Sequence, residues 1–138
     1  MMTLLALIAS LGLIIIAAIH LLWALGYWWP IKDETALARA VVGTKGITKM
    51  PSAVACSMVV VALLFGAAWA WLPDMALKSM GLFGIAVVFQ IRAAIAYAPF
   101  MKRMSPEQPF RRLDETCYAP LCIVFGVIFM ILAGADAA

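Results

Sequence analysis

A chain of 138 residues that is 67% hydrophobic and 12% charged does not fit a water-soluble domain, which is about 45–50% apolar and about 25% charged. A single small domain is mostly surface and has no core large enough for the excess, so the chain reads as an integral membrane protein. The net charge of +3 comes with no basic helix and no aromatic-basic groove pattern, which argues against a nucleic-acid partner, and three cysteines without a CxxC argue against a disulfide framework.

Residues 3–25 are an uncharged apolar run of the roughly 20-residue length that a membrane helix needs. Its polar residues are Thr3, Ser10 and His20. It lacks the basic start of a signal peptide and exceeds the length of one, so it is expected to stay as the first spanning helix. Tyr27, Trp28 and Trp29 form an aromatic belt, and Pro30 stops the helix. In the polar connection that follows, Asp33 either caps a short amphipathic helix through Leu37, Ala40 and Val41 on the membrane surface, ended by Gly43 and Gly46, or the segment is a loop.

Pro51 suits the first turn of a second helix over about 51–72, whose Ala62, Gly66 and Ala70 make a small-residue face for close helix packing. Trp69 and Trp71 mark the far interface, and Pro73-Asp74 is a short turn. A third helix over about 75–98 carries Gln90 and Arg92 inside its apolar span, and Pro99 ends it. The connection over 99–117 is rich in charge, and a fourth helix follows over about 118–134. The expected fold is all-α: one domain, 1–138, forming a bundle of four transmembrane helices.

Eight basic residues lie in two connections: Lys32, Arg39, Lys45 and Lys49 in one, Lys102, Arg103, Arg111 and Arg112 in the other. The opposite side holds only Lys78. That bias predicts cytoplasmic long loops, with both termini outside. On this topology His20 and Arg92 each lie roughly 25 Å along their helices, at 1.5 Å per residue, in the cytoplasmic third. Cys56 falls near the start of helix two, and Tyr118 and Cys122 near the start of helix four, just after Asp114. His20, Trp23, Arg92, Asp114, Tyr118 and Cys122 therefore share one depth and form the candidate ligand-binding cluster.

Each also has a plainer role. His20 fits a hydrogen-bonded helix end, Trp23 and Tyr118 fit an interfacial belt, and the cysteines fit small buried hydrophobes. Arg92 demands more, because a guanidinium at membrane depth must snorkel, pair or face water. Asp114 is the best partner, since a carboxylate matches the guanidinium fork. No metal site is assigned: His20 with Cys56 or Cys122 has no diagnostic spacing for copper(I) or zinc, and a single His leaves haem without a second His ligand. The sequence leaves any cofactor unknown.

The motifs His20-x-x-Trp-Ala-Leu-Gly26, Arg92-Ala-x-Ile, Phe100-Met-Lys-Arg103 and Phe110-x-x-Leu-Asp-x-x-x-Tyr-x-Pro-Leu-Cys122 together resemble the small bacterial four-helix membrane proteins of domain-of-unknown-function family 3995. The resemblance implies four transmembrane helices, a bacterial inner-membrane location and no established activity. It marks His20, Trp23, Gly26, Arg92, Leu113, Asp114, Tyr118, Pro120 and Cys122 as motif positions. Where the family usually carries a Gly-Asp-Phe run just after the Arg, this chain has Ala96-Tyr97, which leaves Asp114 to pair with Arg92.

The expected function is a binding module for an amphipathic or anionic ligand, lipid or quinone-like, at the cytoplasmic leaflet, with Arg92 taking the negative head. One alternative is a membrane enzyme on a lipid-like substrate, with His20 as acid or base. Another is an accessory subunit, as a homo-oligomer or within a larger membrane complex, for which the small-residue helix faces would serve.

Overall fold

Long apolar segments become helices because a helix satisfies every backbone amide within its own segment, which hydrocarbon requires. The computed structural model describes residues 1–137, and no strand occurs among them. In chain order the helices are α1 (Met2–Ala24), α2 (Glu34–Val41), α3 (Ala53–Trp69), α4 (Ala76–Tyr97), α5 (Pro99–Met104), α6 (Phe110–Leu113) and α7 (Ala119–Ala137). A π turn over Asp114–Tyr118 joins α6 to α7, so that Phe110–Ala137 is one helical stretch of 28 residues. That stretch, α1 and α4 are long and apolar enough to cross a membrane; α3 is equally apolar but has 17 residues.

α1 packs against α3 and α4 packs against α7, while α1 also touches α7 and α3 barely touches α4. The bundle therefore runs α3, α1, α7, α4, with an open side between its first and last members. Ala6, Ala9, Leu13 and Ala17 form the buried stripe of α1, and their small side chains allow close approach. Ser10 Oγ donates to the Ala67 carbonyl at 3.0 Å and accepts from Trp71 Nε1 at 2.8 Å, which pins the register of α1 on α3. Phe89 meets Phe125 and Phe129 at ring-centroid distances of 5.4 and 6.1 Å and joins α4 to α7.

One end of the bundle is closed by Lys78, which pairs with Asp74 at 2.9 Å and Asp136 at 3.1 Å, and by Ser79 Oγ donating to the Ala133 carbonyl. Both long connections lie at the other end. Outward, Leu4, Ile8, Leu11 and Ile15 of α1, Val54, Met58, Val61 and Phe65 of α3, and Val124 and Ile131 of α7 are exposed. A soluble monomer rarely exposes apolar surface this continuous, whereas hydrocarbon solvates it.

Several expectations need correcting. α3 begins at Ala53 rather than Pro51, because Ser52 is the better cap: its side chain accepts from the Ala55 amide at 3.1 Å. On that helix Gly66 and Ala70 are buried as expected, but Ala62 is exposed and Ala67 takes its place. The short helix after Asp33 exists, and Asp33 Oδ1 accepts from the Ala36 amide at 2.7 Å. It does not lie on lipid by its apolar face: Leu37 and Ala38 are buried against Met50, Trp23, Trp28 and Ile31. The last helical stretch starts at Phe110 rather than near 118, because Phe110 is itself buried and the charges beside it find partners.

Candidate functional site

The two long connections clasp each other. The Lys45 amide donates to the Met104 carbonyl at 3.2 Å, and the Glu107 amide to the Gly43 carbonyl at 3.1 Å. The Glu107 carboxylate accepts from the Gly46 amide at 3.1 Å. Phe110 lies on Gly43, which has φ +68; a Cβ there would meet the Phe110 ring and its Cβ within 2.5 Å. Glycine is required twice over, by backbone conformation and by space.

Beneath this clasp sits a charged cluster built from α4 and the start of the last helical stretch. A helix beginning at Phe110 places Arg111 three residues before Asp114 and four before Glu115, the two spacings at which helical side chains meet. Arg111 Nη2 donates to Asp114 Oδ2 at 3.2 Å and also to the Ala96 carbonyl. Across the helix pair Arg92 Nη2 donates to Asp114 Oδ1 at 2.7 Å. Glu115 pairs with Lys102 at 3.1 Å and, without hydrogen-bond geometry, with Arg111 Nε at 3.3 Å. Asp114 is fully buried, Arg111 is nearly so, and 38% of the Arg92 side chain is exposed.

Three cations, Arg92, Arg111 and Lys102, thus face two carboxylates, Asp114 and Glu115, for a net charge of one positive. Arg92 Nη1 and both Nε and Nη1 of Arg111 are buried without a hydrogen-bond acceptor. Such donors are costly when left unmade and mark a place where an acceptor is favoured.

The π turn lies within the cluster. The Ala119 amide bonds to the Asp114 carbonyl, five residues back. Pro120 has no N–H to continue this pattern to the Glu115 carbonyl, and Tyr97 Oη donates there instead at 2.8 Å. π turns recur at functional sites because they re-aim side chains.

Of the six expected residues, Arg92 and Asp114 are in direct contact. Tyr118 and Cys122 follow on the same helical stretch: Tyr118 Oη donates to the Ala40 carbonyl at 3.0 Å, and Cys122 packs beside Ala93, Ala96 and Ala119. His20 and Trp23 lie on α1. His20 Nδ1 donates to the Ile16 carbonyl at 2.8 Å, its ring stands 4.8 Å from that of Trp23, and Trp23 Nε1 donates to the Trp29 carbonyl. Among the described residues no hydrogen bond or ion pair joins either to Arg92 or Asp114. Nor do three of His, Cys, Asp and Glu come together there as metal ligands.

Sequence reading missed Arg111, which it counted only toward orientation. Its spacing to Asp114 and Glu115 is the available signal, and it becomes informative once the helix is started at Phe110. Gln90 also finds a partner across the helix pair: its Nε2 lies 3.4 Å from the Ile123 carbonyl, in the space that Gly126 leaves open.

Apolar helices of spanning length, closed at one end by interlocked connections over a buried cluster of charges, define a small helical membrane protein with a polar site at one face. The chain belongs to the family described as protein of unknown function (DUF3995), which matches residues 13–129. No curated protein and no solved structure matches it.

Proposed function

We propose that this chain is a four-span protein of the bacterial inner membrane that binds an amphipathic anionic molecule, lipid or quinone-like, at the cytoplasmic leaflet. Its head would sit at the guanidinium groups around Asp114. The carrying observation is the charge imbalance of that cluster, three cations to two carboxylates with guanidinium N–H groups left over. The buried pair Arg111 and Asp114 balances itself, and the excess positive charge lies on the partly exposed Arg92 and Lys102, where an anionic head can reach it. Of the two guanidinium groups on Asp114, Arg92 is the more exposed and offers the point of contact.

Topology supports the location. The eight basic residues of the long connections lie at the end that holds the cluster, and Lys78 at the other, a bias that favours the cytoplasmic side for the cluster and the outside for both termini. α3, with 17 residues, rises about 25 Å at 1.5 Å per residue and reaches the lower limit for a span. A membrane thinned locally around it would supply the remainder. Trp23, packed on α2, and His20, bonded within α1, are left outside the head site.

Native mass spectrometry of the protein released from mild detergent tests the reading. The wild type should retain one anionic amphiphile, and Arg92→Gln should retain at most a tenth as much. A wild type that carries nothing, or carries zwitterionic and anionic lipids equally, would overturn it.

A further inference from the structure

Between α3 and α4, on the open side of the bundle, runs a groove of about 940 Å³. Its walls are Val54, Met58, Val61 and Phe65 of α3 facing Gly84 and Val88 of α4, and Leu13 of α1 lies at its floor. Ser57 is the sole side chain with a hydrogen-bonding group in the lining. In α4 the lining positions 81, 84, 85 and 88 form one helical stripe, and four residues beyond Val88 the same stripe reaches Arg92. The α4 wall of the groove thus ends about one turn short of Arg92, whose side chain is partly exposed.

We infer that this groove holds the apolar chain of the anionic amphiphile whose head sits at Arg92, an inference that rests on the function proposed above. The α3 wall from Ala53 to Gly66 rises roughly 20 Å at 1.5 Å per residue, which is the run available to an extended chain. Two of the three lining glycines are already used internally: Gly66 by Leu13 and Gly81 by the Trp69 ring. Gly84 has open space where a Cβ would be. Charge completes the match, since a chain in the groove delivers its head to a cluster that is one positive charge in excess.

The test compares two phosphate-headed probes, palmitoyl lysophosphatidylglycerol and chain-free glycerol phosphate, the second with the higher charge, on the wild type, Gly84→Leu and Ser57→Leu. A Cβ at Gly84 meets nothing within 4 Å, so Gly84→Leu narrows the groove from the α4 side and replaces a poor helix former with a good one; Ser57→Leu narrows the other wall. The wild type should bind the lysolipid at least tenfold more tightly than glycerol phosphate, and both variants should lose that margin while still binding glycerol phosphate. A margin that survives both substitutions overturns the groove inference and leaves the head site standing. No binding of either probe by the wild type overturns the head site as well. If either substitution instead converts a dimer of the wild type to monomer, the groove is filled by a second copy and not by a lipid chain.

Discussion

Asp114 balances two guanidinium groups with one buried carboxylate, so the substitutions that neutralise the cluster should differ in cost. Asp114→Asn leaves the nearly buried Arg111 with only the 3.3 Å contact to Glu115, which lacks hydrogen-bond geometry, and should lose about 3 kcal/mol. Arg92→Gln removes a partly exposed partner while Arg111 remains on Asp114, and should lose about 1 kcal/mol. Thermal melting in detergent should rank them in that order, and the double variant should lose less than the sum. Strict additivity would show that the two groups are not coupled. Gly43→Ala should be costly for a different reason, because a methyl group there meets Phe110 and the backbone has positive φ. A melting temperature unchanged from the wild type would mean that the clasp between the connections yields freely.

The Arg92–Asp114 contact could be read from sequence, because a guanidinium inside an apolar span needs a carboxylate and Asp114 is the nearest at its depth. Arg111 could not, since its role depends on a helix that starts at Phe110, and the charges there look like a loop until they pair. Periodicity found the four long apolar segments; it missed the π turn, which follows from Pro120 lacking an N–H and Tyr97 replacing it at the Glu115 carbonyl. The amphipathic pattern of α2 left helix and loop both open and did not show a partner, because Trp23, Trp28 and Met50 cover it from places distant in sequence. The bond from Tyr118 to the Ala40 carbonyl ties α2 to the last helical stretch. Tyr118→Phe should therefore cost about 1 kcal/mol and speed proteolysis within residues 42–50. Unchanged cleavage there would show that the hydroxyl does not hold the connection in place.

Taken together, the helices form two pairs, α1 with α3 and α4 with α7, closed by charge at one end and by the Lys78 pairs at the other, with a groove left between the pairs. That groove was invisible in the sequence, because its walls have the same residue types as any lipid-facing surface. The proposed orientation predicts that single cysteines at Lys45 or Gln108, in a background lacking Cys56, Cys117 and Cys122, resist an impermeant thiol reagent in intact cells, while one at Met2 is labelled. The reverse pattern would invert the topology.

Anion binding at the cytoplasmic end is tested most directly by melting the purified protein with phosphatidylglycerol or with phosphatidylcholine. A ligand that binds only the folded state stabilises it by about 2.7 kcal/mol at a hundredfold excess over its Kd. Phosphatidylglycerol should raise the melting temperature of the wild type well above the value with phosphatidylcholine, and Arg92→Gln should abolish most of that difference. Equal shifts with both lipids, or an undiminished difference in Arg92→Gln, would contradict a head-group site at the Asp114 cluster.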